Sequence, residues 1–390
     1  MPAYTYRAKG ARSLQEDHTD AGPLPPEWSH LSPIQSARVL VKTNNDLAKA
    51  LLLDEDNQPC VEDIDSRASF SGSTLVAVLG QTWVSVGDSL LLQATIDKDN
   101  QVHLKLVNPL HTLNRHELKL IRQRLKENRI HKTIKELVTY NNITEQGRGR
   151  IAGLEMTHAL GDFEAQKNLL ITHAPALGQF TPTLDKRFII VASDGLFDFT
   201  PPHHQQFQDR YAKAEATYQA SAKSEEDYLQ KLDTYDQIDA DKHDEMLKLF
   251  ETEINKHLAG QEISVAGVGE ALTDIITGYD INNDNTTFTI SDEGWMFLAD
   301  GHGGAVKTPS ESSTYIAEHF KTKLEQNLTR YLGEQENASA NASAQASPVI
   351  SHKSATIAPT VSFTVPSEVP IPEPKVRPAP EITGKNNTFS

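Results

Sequence analysis

The sequence predicts an α+β fold, in which antiparallel strands form the body of the domain and helices lie outside them. Short apolar runs rich in β-branched and aromatic residues occur in neighbouring pairs separated by polar or glycine turns, a pattern typical of hairpins. Other segments have apolar residues spaced three and four apart, which indicates amphipathic helices. Strands far outnumber units in which one helix joins two strands, so a doubly wound parallel sheet is not expected.

The strands follow from these apolar runs. The predicted strands are residues 74–79, 81–86, 90–96, 101–107, 187–193, 286–291 and 295–299. The first two flank Gly80 and are expected to form a hairpin, while a polar turn at 97–100 joins the next two. The last two are expected to pair with each other across the short link 292–294.

Helical spacing is predicted for residues 34–53, 113–127, 131–140, 203–258 and 311–333. The fourth segment is long enough for two or three helices and carries an aromatic stripe at Phe207, Tyr211 and Tyr218. Such a stripe is typical of a packing face. A helical insertion of about 201–260 is therefore predicted to form a lid or a side appendage.

Composition limits the class of protein. The chain has 390 residues, of which 38% are hydrophobic, enough for one large domain or two small ones. Its formal net charge is −16, and without a basic excess it is a poor candidate for binding a nucleic-acid backbone. The one cysteine, Cys60, excludes an internal disulfide and fits a reducing compartment. Arg67 follows it by seven positions, not the six of a cysteine-based phosphatase, so Cys60 is interpreted as unreactive.

Location and domain limits also follow from composition. No apolar signal core follows Met1, and no stretch reaches the ~18–20 apolar residues of a membrane span, so a cytoplasmic protein is predicted. A bacterial effector that acts in a host cytosol is a second interpretation.

Residues 1–334 are predicted to form the folded domain. Residues 335–390, rich in Ala, Ser, Pro and Thr, are predicted to be a disordered tail that acts as a tether, a partner-docking segment or an export signal.

Short acidic segments beside the strand-like runs are candidates for a metal site. Asp and Glu with few histidines and no cysteine favour Mg²⁺ or Mn²⁺ over zinc, because these hard ions prefer oxygen ligands. Two such ions can activate water and hold phosphoryl oxygens, as hydrolysis of a phosphate ester requires. The segments are Arg12 with Glu16-Asp17, Gly87-Asp88, Asp194-Gly195 with Asp198, Asp284-Asn285, and Asp300-Gly301-His302.

Together, these and other segments resemble the Mg/Mn-dependent protein serine/threonine phosphatases of type 2C, the PPM family. The resemblance implies a β-sandwich flanked by helices on both faces, with the metals between the sheets at one end. It also implies hydrolysis of phosphoserine and phosphothreonine in proteins. The matching segments are 12–17 (RSLQED), 71–74 (SGST), 86–89 (VGDS), 150–153 (RIAG), 156–162 (MTHALGD), 192–198 (ASDGLFD), 284–287 (DNTT) and 300–304 (DGHGG).

The resemblance implies a set of metal ligands. Asp300 would bridge both ions. The carbonyl of Gly301 and the carboxylate of Glu16 would bind one of them. Asp194 and Asp284 would complete the other.

Four further roles are implied in the same way. Asp17 would accept a hydrogen bond from a water ligand of the metals, and Asp198 would belong to a third, weaker metal position. Arg12 would bind the substrate phosphate, because its planar guanidinium suits two oxygens at once. His302 would protonate the leaving seryl or threonyl oxygen as general acid.

The chain departs from the family pattern at several positions. Leu90 and His158 stand where the family has arginines. Asn108 replaces an aspartate that helps to hold the third metal, so a third ion is expected to bind poorly or not at all. Asp88 and Asp162 are interpreted as structural turn residues.

The order of the motifs is also unusual. The segment at Asp300 normally comes soon after the segment at Arg12, whereas here it follows Asp284 near the end of the chain. A circular permutation of the fold is therefore predicted. A pseudophosphatase that binds phosphoproteins through Arg12 without turnover is the alternative to an active enzyme. In either case the expected partner is a phosphoprotein, not a nucleic acid.

Overall fold

The computed structural model describes residues 3–8, 16–51, 71–140, 147–181, 186–197, 204–278, 286–292, 294–302 and 311–345. The predictions made for Arg12, Cys60, Asp198 and Asp284 lie outside these residues. The chain divides into two compact units, Met1–Ala338 and Ser339–Ser390. Of the second unit, only the residues up to Gln345 are described.

Most of the described strands belong to two antiparallel sheets. The strands are β1 Tyr4–Ala8, β2 His18–Gly22, β3 Gly72–Ser73, β4 Leu75–Leu79, β5 Thr82–Val86, β6 Leu90–Ile96, β7 Val102–Leu106, β8 Val138–Thr139, β9 Arg150–Ile151, β10 Leu160–Gly161, β11 Ala176–Gln179, β12 Arg187–Ala192, β13 Thr286–Ser291, β14 Trp295–Ala299 and β15 Gly301–His302. The first sheet has the order β1-β13-β12-β6-β7 and the second the order β11-β5-β4-β14-β2.

Helices lie outside the two sheets. They are α1 Pro33–Leu51, α2 Arg115–Glu127, α3 Ile134–Leu137, α4 Phe163–Lys167, α5 His204–Ala220, α6 Glu225–His257, α7 Val265–Gly278 and α8 Glu311–Gln345. The sheets share an apolar layer that includes Val78 of β4, Val191 of β12 and Leu298 of β14. Helices α6 and α7 pack on the first sheet, and α1 and α8 on the second. The predicted α+β class with antiparallel sheets and helices is confirmed.

Burial on both faces explains why β4 (LVAVL) and β14 (WMFLA) are continuous apolar runs. Strands β4, β5, β13 and β14 are buried at every position. One face of each strand meets the other sheet and the opposite face meets helices, so neither face is left to water. Alternation of apolar and polar residues is expected only where one face is solvated.

The predicted pairing of the last two strands is wrong. β13 pairs with β1 and β12 in the first sheet, whereas β14 pairs with β2 and β4 in the second. The chain therefore crosses between the sheets, and Gly294 has a φ of 115°, in the region that favours glycine. An apolar run indicates a strand but not its partner. The circular permutation itself stays a prediction.

The helix predictions agree with the structure only in part. Segment 203–258 forms two helices, separated where Ser224 caps α6 with its side chain. Segment 131–140 is helical only over Ile134–Leu137, because the next two residues pair with β9 as strand β8. α7 was not predicted, since its glycines weaken the helical signal. α8 continues to Gln345, past residue 334, and the domain boundaries stay predictions.

None of the helices in the described ranges is both long and apolar enough to cross a membrane. The cytoplasmic location and the effector role stay predictions.

Candidate active site

A small three-stranded sheet in the order β10-β3-β15 brings distant parts of the chain together. Gly72 of β3 pairs with Gly161 on one side and with His302 on the other. Asp162 follows β10 directly, and Asp300 directly precedes β15. Three of the predicted motif segments therefore meet at this sheet.

The absence of a side chain at Gly72 makes room for a polar pair. A Cβ built at Gly72 would lie 1.8 Å from Oδ2 of Asp162 and 2.2 Å from Nε2 of His302. Both distances are far below any van der Waals contact. A glycine at this position is therefore needed for the pair to keep its place.

His302 and Asp162 form that pair. Nε2 of His302 lies 2.6 Å from Oδ2 of Asp162, and the two side chains are 15% and 5% exposed. Burial alone lowers the pKa of His302, but the charge of Asp162 and its hydrogen bond outweigh this effect, aided by Asp88 and Glu16. The net result is a raised pKa, which favours the protonated imidazolium.

The backbone of Asp300 is fixed by the SGST segment. Its carbonyl accepts hydrogen bonds from the backbone N–H of Thr74, at 2.9 Å, and from Oγ of Ser73, at 3.0 Å. Its own N–H donates to Oγ1 of Thr74, at 3.3 Å. These three bonds position Asp300 at the end of β14.

The side chain of Asp300 lies among other carboxylates. Burial is the largest cause that raises its pKa, and the negative charges of Asp17 and Asp194 come next. A hydrogen bond with Asp17 and the charge of Asp88 act in the same direction. The pKa of Asp300 is well above its usual range, because several anions compete for one poorly solvated region.

Asp17 and Asp194 come to this region from different sheets. Asp17 directly precedes β2 and is buried. Asp194 directly follows Ser193 at the end of β12 and begins a short 3₁₀ turn, Asp194–Phe197. Ser193 is tied to β13 because its N–H donates to the carbonyl of Thr287 at 2.9 Å. The ends of both sheets thus supply acidic residues to one place.

The structure brings most of the predicted site residues together. Asp17 and Asp194 lie close enough to Asp300 to shift its pKa, and Glu16 lies close enough to His302 to do the same. Gly301 is held by its pairing with Ser73. The other three predicted residues, Arg12, Asp198 and Asp284, lie outside the described residues.

The chemistry of these residues suits a hard divalent cation. Carboxylates that raise one another's pKa are stabilised by a cation between them, and Mg²⁺ and Mn²⁺ prefer oxygen ligands. Within the described ranges, no three His, Cys, Asp or Glu side chains are already arranged to hold an ion. The implied ligand Asp284 lies outside those ranges. The residues therefore fit the implied metals by donor type.

Sequence reasoning missed two residues at the site. Asp88 and Asp162 were interpreted as ordinary turn residues, yet both influence His302, and Asp162 contacts it directly. Each follows a glycine at or near the end of a strand, Gly87 and Gly161. Asp194 and Asp300 also have a glycine neighbour, in the reverse order Asp-Gly, so an aspartate beside a glycine near a strand end is the signal that could have found them.

Asn108 has a structural role. Its Oδ1 accepts from the N–H of Leu91 at 2.8 Å, and its Nδ2 donates to Oγ of Ser85 and to the carbonyl of Ser89, at 2.8 and 2.9 Å. The amide joins strands β5 and β6. Both polar atoms of this amide are thus hydrogen-bonded within the fold, at the position where the family has an aspartate.

His158 lies in a buried cluster. Its ring stacks on His111 at 3.9 Å, and its Nε2 lies 3.1 Å from Oε2 of Glu117. Burial, followed by the charge of His158, lowers the pKa of His111 to about 4. His111 also contacts the carbonyl of Gly87 through Nδ1, at 3.0 Å. The cluster supports the turn that carries Asp88.

One family model matches part of the chain. The family model described as protein phosphatase 2C matches residues 127–223, a stretch that contains Asp162 and Asp194. No curated protein sequence matches the chain.

Solved structures similar to this chain include two with the same TM-score of 0.35. One is a sex determining protein of C. elegans, at 17% identity over 81% of this chain and 67% of that one. The other is a serine-threonine phosphatase 2C from Toxoplasma gondii, at 14% identity over 76% of this chain and 94% of that one. At these values neither structure carries an argument about the function of this chain.

Proposed function

We propose that the chain hydrolyses phosphoserine and phosphothreonine in proteins. The match of the protein phosphatase 2C family model to part of the chain supports this proposal. The proposed site holds two Mg²⁺ or Mn²⁺ ions. When bound, such a pair supplies an ionised water as nucleophile and offsets the charge of the phosphoryl oxygens.

The observation that carries the proposal is the crowding of carboxylates at Asp300. Anionic side chains that raise the pKa of a buried neighbour destabilise a fold unless a cation offsets them. We assign Glu16, Asp194, Asp300 and the carbonyl of Gly301 as metal ligands, with Asp17 beside them. The remaining ligand assigned by resemblance is Asp284.

His302 is the proposed general acid. Its Nε2 is engaged by Asp162, while its Nδ1 is buried and makes no hydrogen bond within the described part of the chain. Asp162 holds the ring in one orientation and stabilises the imidazolium. The proton on Nδ1 can then pass to the seryl or threonyl oxygen as the phosphorus–oxygen bond breaks. Arg12, assigned by resemblance, would hold the phosphate.

The test is hydrolysis by the full-length protein. A phosphoseryl peptide and p-nitrophenyl phosphate are incubated with Mn²⁺ or Mg²⁺, and then with a chelator. Asp300→Asn should abolish turnover, whereas the matched control Asp99→Asn, at an exposed turn, should keep the rate of the native protein. Absence of metal-dependent turnover, or an unchanged rate for Asp300→Asn, would contradict the proposal.

A second candidate function is phosphoprotein binding without turnover. Asn108 favours it, because its amide joins strands where the family has a metal-binding carboxylate. This function predicts that the phosphoseryl peptide binds with or without Mn²⁺ and stays intact. Release of phosphate in the assay above would exclude it.

A further inference from the structure

One surface of this acidic protein is basic. Residues 115–135 carry eight Lys and Arg but only two Glu, a net charge of +6, so the rest of the chain carries −22. The segment forms α2, the turn that follows it and the start of α3. The positive charge is therefore concentrated along one helix and its turn.

These residues line a groove of about 700 Å³ that also borders α6 through Leu229. Lys119, Lys126 and Lys132 contribute its charge. Ile130 contributes an apolar edge and is 38% exposed. We call this surface the α2 groove.

Two arginines of the groove are used to hold the fold. Arg115 pairs with Glu226 at 3.1 Å and with Asp233 at 2.8 Å, and Arg122 pairs with Glu225. All three acidic residues belong to α6, so these pairs attach α2 to α6. Their charge is locally neutralised.

The three lysines are in a different situation. Lys119, Lys126 and Lys132 are exposed, and none takes part in an ion pair among the described residues. No carboxylate of the described residues lies within ion-pair distance of these lysines, although the charge of Lys132 reaches Glu136 and helps to lower its pKa. An anionic ligand is the complement that such a groove lacks.

We propose that the α2 groove docks an acidic peptide segment of a partner protein. Its carboxylates would lie beside Lys119, Lys126 and Lys132, and an apolar side chain would pack on Ile130 and Leu229. The rest of the chain repels such a partner, because it is strongly negative. The proposal does not depend on catalysis at the Asp300 site.

The shape of the groove favours a peptide over other polyanions. A concave groove with an apolar edge accommodates the side chains of a peptide. Among its lining residues His131 is the one ring on which a base could stack, whereas sites for single-stranded nucleic acid stack successive bases on several aromatic side chains.

The test is fluorescence anisotropy with a labelled twelve-residue peptide of Glu and Leu, in the presence of a chelator. The groove variant replaces Lys119, Lys126 and Lys132 with Glu. The control variant replaces three exposed lysines elsewhere, Lys98, Lys105 and Lys248, with Glu, so it has the same net charge as the groove variant. A third variant with Gln at the groove positions removes charge without reversing it.

The expected result is binding that weakens with added salt and falls roughly tenfold or more in the groove variant, with a smaller loss in the Gln variant. The control variant should keep most of the affinity. No binding to the native protein, or equal losses in groove and control variants, would overturn the proposal. So would tighter binding of a single-stranded oligonucleotide or of phosphatidylserine vesicles. Phosphatase activity plays no part in any of these outcomes, so failure here is separate from failure of the proposed enzyme.

Discussion

Replacing Gly72 with Ala is the sharpest test of how the site is built. The new methyl group would lie 1.8 Å from Oδ2 of Asp162 and 2.2 Å from Nε2 of His302, so at least one of these side chains must move. Both are ends of side chains and not backbone, which means that the fold can survive the change. The hydrogen bond between His302 and Asp162 cannot survive it, because the methyl group would occupy the space of this pair.

The size of the effect follows from that bond. A hydrogen bond to a charged group contributes about 1.5–3 kcal/mol, which corresponds to roughly a 10- to 150-fold change in rate. The loss should appear with a phosphoseryl peptide, whose leaving oxygen needs a proton. It should be small with p-nitrophenyl phosphate, whose leaving group departs without one.

The assay compares kcat/KM for the two substrates in Mn²⁺. Asp162→Asn should reproduce the difference between substrates without adding a methyl group at position 72. Thermal unfolding checks that both variants are folded. Equal losses on the two substrates, or no loss on the phosphopeptide, would refute the assignment of His302 as an acid positioned by Asp162.

Three predictions concern stability. Lys231→Met should lower the free energy of unfolding by about 3 kcal/mol, because Glu215, 2.9 Å away and also bonded to Tyr235, is left as a buried charge. Urea unfolding measures this loss, and adding Glu215→Gln should restore most of the lost stability. Burial lowers the pKa of His243 to about 4, whereas a histidine in the unfolded chain titrates near 6.5. The free energy of unfolding should therefore fall by roughly 3 kcal/mol as the pH drops from 6.5 towards 4, because acid protonates the unfolded state first. The stability of His243→Phe should be less sensitive to acid, and an unchanged pH dependence would contradict the reasoning. Gly333→Ala, inside α8 with open space around it, should raise stability by about 0.5–1 kcal/mol, and a lower melting temperature would argue against it.

Local patterns in the sequence predicted much of the fold. The runs that became β4, β5, β6, β7 and β12 were found because continuous apolar, β-branched segments have few other solutions. Helices α1 and α2 were found because their buried faces repeat along the chain. The failures have a common cause, since β8 and the separation of β13 from β14 depend on partners that lie far along the chain.

The site divides in the same way. Glu16, Asp17, Asp194 and Asp300 were predicted from acidic residues beside strand ends, and the fold places them in one region. Asp88 and Asp162 were missed because a Gly-Asp pair is also an ordinary turn. The basic α2 groove was missed for a different reason, since the net charge of the whole chain conceals a local charge of opposite sign.

The sequence by itself determined the types of side chain at the site and two of the strands beside it, β12 before Asp194 and β14 before Asp300. Both are local properties, set by the chemistry of each residue and by the period of its neighbours. Only the tertiary structure decided that Gly72 lies between Gly161 and His302, and that Asp162 therefore reaches His302. Strand pairing joins residues that are far apart in the chain, and its energy comes from hydrogen bonds and burial that exist only once the sheets have formed.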